Sequence, residues 1–166
     1  MTALAQRKVT AYHEAGHAVA AHHCGVRVLT TTIEAQGDTS GQVEHTNPIH
    51  GIRIDFDKSD RTRLRVERLI IVCLAGPSAQ TKFHSLSWRH WHGHSDHEKA
   101  TDLAMSMCGS PEQADAFIKW LEMRATDLVE LHWREIEAVA MALIAKSKIS
   151  GSRIHKIIFE TIRAHA

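Results

Sequence analysis

The sequence has 166 residues, of which 43% are hydrophobic. This is enough for one ordinary buried core and too little for two independent domains, so we expect a single domain over residues 1–166. With 20 Lys and Arg against 19 Asp and Glu, the net charge of +1 excludes a general attraction to nucleic acid or to an anionic membrane.

Segments that target or anchor a protein are not predicted. The first residues, "MTALAQRKVT", lack the apolar segment of a signal peptide, and the longest apolar run, at 69–76, is too short to span a membrane. The three cysteines are odd in number and widely spaced, which excludes a disulfide framework. We therefore expect a soluble cytoplasmic protein with reduced thiols and no membrane segment.

The chain begins with a predicted helix, followed by a predicted β-hairpin. Residues 3–24 are good helix formers, and Gly25 stands where a helix commonly ends with a left-handed residue. Residues 28–46 contain two runs that favour strands, separated by turn-forming residues at Gly37, Asp38, Ser40 and Gly41. An irregular surface excursion is the alternative interpretation of 28–46.

A central helix and a loop follow. Residues 60–75 are too densely apolar for a solvated helix, and Pro77 is expected to kink or end this helix because proline lacks an amide donor. The segment 84–96 has no periodicity and is predicted as a loop.

The last part of the chain is predicted to be helical. Ser95 and Glu98 form a capping-box pattern, which predicts a helix from Asp96 to Cys108. A long helical pattern starts at Pro111 and is expected to bend or break near its middle, and a short helix closes the chain. The predicted fold is mainly α with a small β-hairpin or sheet, an α+β class.

The first helix carries the pattern "HEAGH", with His13 and His17 four residues apart. Residues at this spacing lie on one helix face, about 6 Å apart along the axis, so both imidazoles can reach one zinc ion. Glu14 is rotated by roughly 100° from His13, which places its carboxylate beside the metal, where a general base takes a proton from zinc-activated water. The pattern predicts a hydrolytic zinc site.

Two questions remain open at this point. A shuffled chain of this composition would show the pattern with a probability of about 8%, so histidines that merely pack on a helix face are the alternative. A catalytic zinc site also needs a third protein ligand. His22 and His23 are too close in sequence to fold back to the same ion, and we expect them at the surface.

The chain resembles the peptidase domain of the FtsH-type ATP-dependent zinc metalloproteases over residues 9–158. Four blocks carry the resemblance, in order along the chain: "VTAYHEAGHAVAA", "RLIIVCLAGPSAQ", "SDHEKATDLAMSM" and "LHWREIEAVAMALIAKSKISGSRIHKII". The resemblance implies a zincin-like helical domain that hydrolyses peptide bonds, with zinc as cofactor and Glu14 as the general base.

The resemblance also implies the third ligand. In the family it is an aspartate at the start of a helix, and the matching residue here is Asp96. A carboxylate is an ordinary zinc ligand, although an aspartate at this position is also favoured by the helix dipole alone. His92, His94 and His97 are rivals for the role, or for binding the oxyanion, with local packing as the alternative.

The family further implies that the edge of the small sheet holds the substrate in extended form, which maps to residues 28–46. If Ile33 pairs with substrate, Ile33→Pro is expected to weaken cleavage and leave zinc in place. His45 is a further candidate for binding the oxyanion.

The chain also departs from the family pattern. It contains no phosphate-binding "G-x-x-x-x-G-K-[ST]" loop, so we expect peptides or unfolded segments as substrates unless a separate ATPase delivers them. Pro77 and Gln80 replace the usual Arg and Glu, which bears on activity and on assembly into an oligomer.

The leading hypothesis is a zinc endopeptidase. The alternatives are a zinc-containing structural or regulatory module without cleavage activity and, third, a helical interaction protein without metal.

Overall fold

The computed structural model describes residues 2–34, 41–85 and 94–164. These ranges contain six helices and a three-stranded antiparallel sheet, which confirms the mainly α, α+β class. The elements in chain order are α1 (Ala3–His23), β1 (Val28–Thr32), β2 (Gln42–His45), α2 (Asp60–Phe83), α3 (His94–Met107), α4 (Pro111–Leu131), α5 (Trp133–Lys146), β3 (Lys148–Ser150) and α6 (Gly151–Arg163).

Helix α1 has the predicted extent. The Thr2 hydroxyl accepts a hydrogen bond from the Ala5 amide at its start, and Gly25 follows its end with a φ of +70°. The helix packs closely on α2, because a Cβ added at Gly16 would lie 2.6 Å from the Ala75 carbonyl oxygen. Glycines at this crossing, Gly16 on α1 and Gly76 on α2, let the two backbones approach each other.

The sheet contains the predicted hairpin and a third strand that was not predicted. β1 lies in the centre, with Thr31 opposite Val43 of β2 on one side and opposite Ile149 of β3 on the other. β3 has only three residues, too few for a periodic signal. The turn residues Gly37, Asp38 and Ser40 lie outside the described residues.

The third strand corrects the expectation for Ile33. Its amide donates a hydrogen bond of 2.8 Å to the Ser147 carbonyl, beside the pairing of β1 with β3. The Ile33 amide is therefore used within the fold, and the prediction that it pairs with substrate is wrong. The edge of the sheet next to α1 is β2, which lies at one end of the strand order.

Helix α2 continues past the proline that was expected to kink or end it. Pro77 is buried, and the helix runs on to Phe83. Proline removes one backbone hydrogen bond, but burial of this part of α2 against α1 and α4 outweighs that local loss. The extra turns matter, because they carry Gln80 and Phe83 to the side of α1.

The remaining helices follow the prediction with two differences. α3 begins at His94, so Ser95 and Asp96 both lie in its first turn and Ser95 is not the residue before the helix. The predicted break in the long C-terminal pattern falls at His132, between α4 and α5.

The core joins α1 and α2 to the C-terminal helices. Tyr12 stacks on Phe83 and Trp133, with ring centroids 3.8 and 5.5 Å away. None of the described helices is both long and apolar enough to cross a membrane.

Candidate metal centre

Three predicted ligands lie together at one end of a cleft. His13 and His17 project from successive turns of α1, and Asp96 comes to them from the first turn of α3. The two Nε2 atoms are 3.0 Å apart, and Asp96 Oδ2 lies 3.1 Å from His13 Nε2 and 3.3 Å from His17 Nε2. Residues 83 positions apart in sequence are thus brought into one triangle of donor atoms.

The size of this triangle fits a zinc ion. Zinc binds imidazole nitrogen and carboxylate oxygen at about 2.0–2.2 Å, so tetrahedral ligands stand roughly 3.3–3.6 Å from each other. The observed separations of 3.0–3.3 Å are within a few tenths of an ångström of that geometry. Two imidazoles and one carboxylate are also a common donor set of catalytic zinc sites, which leave a further position for water.

Helix α2 orients both imidazoles. His17 Nδ1 donates to the Val72 carbonyl at 2.7 Å, and His13 Nδ1 lies 2.9 Å from the side-chain oxygen of Gln80. Because both partners accept hydrogen bonds, the Nδ1 atom of each ring carries a proton, and each Nε2 atom faces the shared centre, where it can hold a proton or bind a metal ion. This arrangement of a ligand and its hydrogen-bonded support is typical of metal-binding histidines.

Gly76 makes room for one of these rings. A Cβ added at Gly76 would lie 2.2 Å from His17 Nε2 and 2.5 Å from two ring carbons. No side chain fits between the His17 ring and α2, so the position of that imidazole depends on a glycine in the middle of the helix.

The charges around the centre are strongly coupled. Burial favours the neutral form of His17, but the nearby Asp96 carboxylate outweighs burial and raises the pKa of His17 to about 9. Burial likewise opposes ionisation of Asp96, and the two histidines more than offset it, so its pKa lies well below the usual range. The two Nε2 atoms and the Asp96 carboxylate oxygen would repel one another at these distances without a positive charge between them. Either a proton or a metal ion supplies that charge.

Glu14 lies at the same end of the cleft and is 6% exposed. Its burial raises the pKa of the carboxyl, and the neighbouring His13 and His17 oppose that shift without cancelling it. The start of β2 packs directly on this side chain, because a Cβ at Gly41 would lie 2.7 Å from Glu14 Oε1. Glu14 therefore stands between the predicted ligands and the edge strand.

The cleft itself has a volume of about 390 Å³. Its lining includes the three predicted ligands and Glu14 together with β2 residues Gln42, Val43 and His45. An extended chain that lies along β2 would therefore pass beside the triangle of donor atoms.

The other predicted histidines have different positions. His97 lies 3.6 Å from Glu122, on the side of α3 that faces α4, and does not join the triangle. His45 lines the cleft, where its Nδ1 atom is 2.9 Å from the Thr46 carbonyl oxygen. His92 and the side chain of His94 lie outside the described residues. His22 and His23 lie at the C-terminal end of α1, beyond the cleft, as expected from their sequence position.

Sequence reasoning missed the support from α2. Gln80 was visible only as a departure from the family pattern, and the roles of Gly76 and the Val72 carbonyl had no signal in the sequence. These contacts depend on where α2 crosses α1.

No family model matches the chain, and no curated protein matches it. The geometry of the triangle and the motifs on α1 and α3 are therefore what indicates a function.

Proposed function

We propose that the chain is a zinc-dependent peptidase, with His13, His17 and Asp96 as ligands and Glu14 as general base. The observation that supports this proposal most strongly is the triangle of ligand atoms, which stand 3.0–3.3 Å from one another. The triangle is formed by residues of two helices and lies beside a buried glutamate. The resemblance to FtsH-type peptidase domains supports the same set of residues and a zincin-like helix.

The zinc ion, when bound, would polarise a peptide carbonyl and acidify water. Side chains and backbone groups of the protein supply the general base and hold the ligands in place. Glu14 is buried and its pKa is raised, so the carboxylate is a stronger base than an exposed glutamate and can accept a proton and return it to the leaving amine. Gln80 and the Val72 carbonyl hold the imidazoles in the orientation that ligation needs.

The substrate class follows from the position of β2. The strand lies at an edge of the sheet and borders the cleft, so backbone groups of Gln42–His45 can pair with an extended peptide. Backbone groups that are already paired within a helix or the interior of a sheet cannot pair in this way. The proposed substrates are peptides or unfolded segments, delivered by diffusion or by a separate ATPase.

The test compares wild type with Glu14→Gln in zinc content and in cleavage of casein. Both proteins should bind zinc, because Glu14 is not a ligand, whereas cleavage should fall by about 10²–10⁴-fold without the base. Glu160→Gln, an exposed side chain on α6 that does not line the cleft, is the matched control and should keep zinc and activity.

The outcomes separate the enzyme from its alternatives. Zinc without cleavage in wild type would favour a structural or regulatory module. Protein that binds no zinc would contradict both metal hypotheses. Asp96→Asn adds a check on the ligand, since it should lower zinc affinity if the carboxylate binds the ion.

A further inference from the structure

A second cluster of metal-binding groups lies at the C-terminal end of α1. His23 Nε2 is 2.5 Å from Glu135 Oε2, and His132 Nδ1 is 2.9 Å from Glu135 Oε1. The rings of His23 and His132 are stacked, with centroids 3.6 Å apart and an interplanar angle of 18°. His22 extends the cluster, with its ring centroid 5.1 Å from those of His23 and His155.

The cluster brings together three parts of the fold. His23 belongs to the last turn of α1, His132 to the junction of α4 and α5, and Glu135 to the first turn of α5. One donor atom from each of the three lies within 4.8 Å of the other two. None of these residues takes part in the proposed peptidase centre.

The carboxylate of this cluster is buried, whereas its two imidazoles are partly exposed. The Glu135 side chain is 9% exposed, while those of His23 and His132 are 22% and 20% exposed. A buried carboxylate needs compensation by charge or by several donors, and a divalent cation would supply more of it than two neutral imidazoles. The partly exposed rings leave a path for the ion from solvent.

Ring orientation decides how His23 and His132 can share an ion. The two rings are stacked with centroids 3.6 Å apart, whereas a metal ion lies in the plane of each imidazole that binds it. One ring must therefore turn about its side-chain torsions before both nitrogens reach the ion, and the partial exposure of both side chains leaves room for that turn.

We propose that His23, His132 and Glu135 form a second metal site that takes a divalent ion such as Zn²⁺. Two imidazoles and one carboxylate are a normal donor set for zinc. Bound donors stand roughly 3.3 Å apart, so the Glu135 carboxylate must withdraw from His23 by somewhat less than 1 Å, which rotation of its side chain allows.

This second site binds more weakly than the first. The donors around Asp96 already stand at ligand separations, whereas those around Glu135 are drawn together by hydrogen bonds that the metal must replace. The bound ion would tie the end of α1, the helix that carries His13 and His17, to the start of α5. Its role is to fix that helix end, and no catalytic step depends on it.

The test is calorimetric titration of Zn²⁺ into chelator-treated full-length protein near neutral pH. Wild type should show two steps that differ at least tenfold in affinity. His23→Ala should lose the weaker step and keep the tighter one. Asp96→Asn should lose the tighter step and keep the weaker one. His50→Ala, an exposed histidine in a turn, is the matched control and should keep both steps.

Glu135→Gln is a second variant in case the first alters the helix end, and it should also lose the weaker step. Two steps that persist in both His23→Ala and Glu135→Gln would overturn the second site. A wild type with only the step that Asp96→Asn removes would overturn it as well. The peptidase proposal has a separate test in the same experiment. An Asp96→Asn variant that keeps the tighter step would contradict that proposal and leave the second site unaffected.

Discussion

Substitution of Gly76 by alanine should remove zinc from the proposed peptidase centre, whereas the chelated protein should still fold. The new Cβ would lie 2.2 Å from His17 Nε2, whereas ordinary contacts between such atoms are about 3.5 Å, so the ring must move by more than 1 Å. Ligand distances tolerate deviations of only about 0.2 Å. The displaced imidazole can therefore no longer share an ion with His13 and Asp96.

The effect on metal affinity and the effect on fold stability can be estimated separately. Loss of a group that merely supports a ligand lowers metal affinity by about 10–100-fold, and displacement of the ligand itself should cost at least as much. Overpacking costs about 1–3 kcal/mol, but alanine in place of glycine inside a helix returns roughly 0.5–1 kcal/mol. The free energy of unfolding of the chelated protein should therefore fall by no more than about 2.5 kcal/mol.

Competition with a chromophoric chelator measures the zinc affinity, and urea unfolding in excess chelator measures the stability. Ser78→Ala, on the same helix, is the control and should bind zinc like wild type. Gly76→Ala added to His17→Ala should lower affinity no further than His17→Ala alone, because both act through one ring. A Gly76→Ala protein with wild-type zinc affinity would refute the reasoning.

Three further predictions concern Gln80, Ile33 and His17. Gln80→Leu should lower zinc affinity by about 10–100-fold in the chelator assay, since His13 loses its acceptor, and Gln80→Glu should not; equal losses in both would contradict this role. Ile33→Pro should lower the free energy of unfolding by about 1–3 kcal/mol, because the hydrogen bond to Ser147 is lost, and unchanged urea unfolding would refute it. In chelated protein, the raised pKa of His17 stabilises the fold fully below pH 6.5, and this contribution is lost as pH rises through about 9. The urea midpoint should fall over that interval, and a rise would contradict the assignment.

Local patterns in the sequence predicted the elements that depend on neighbouring residues. The helix with His13, Glu14 and His17 formed as expected, because an i, i+4 spacing and a terminal glycine act within one helix. Local rules failed where packing opposed them. Pro77 was expected to kink or end α2 and did not end it, and β3 was too short to leave a pattern.

The sequence by itself determined one half of the candidate site, the face of α1 that carries two imidazoles and a glutamate. Asp96 came only from resemblance to a family, and its distance of 3.1 Å from His13 Nε2 depends on how α3 packs. The support from Gln80 and the space at Gly76 likewise arise where α2 crosses α1. The physical reason is that helix geometry is fixed by nearby residues, whereas the meeting of helices is decided by burial summed over the whole core.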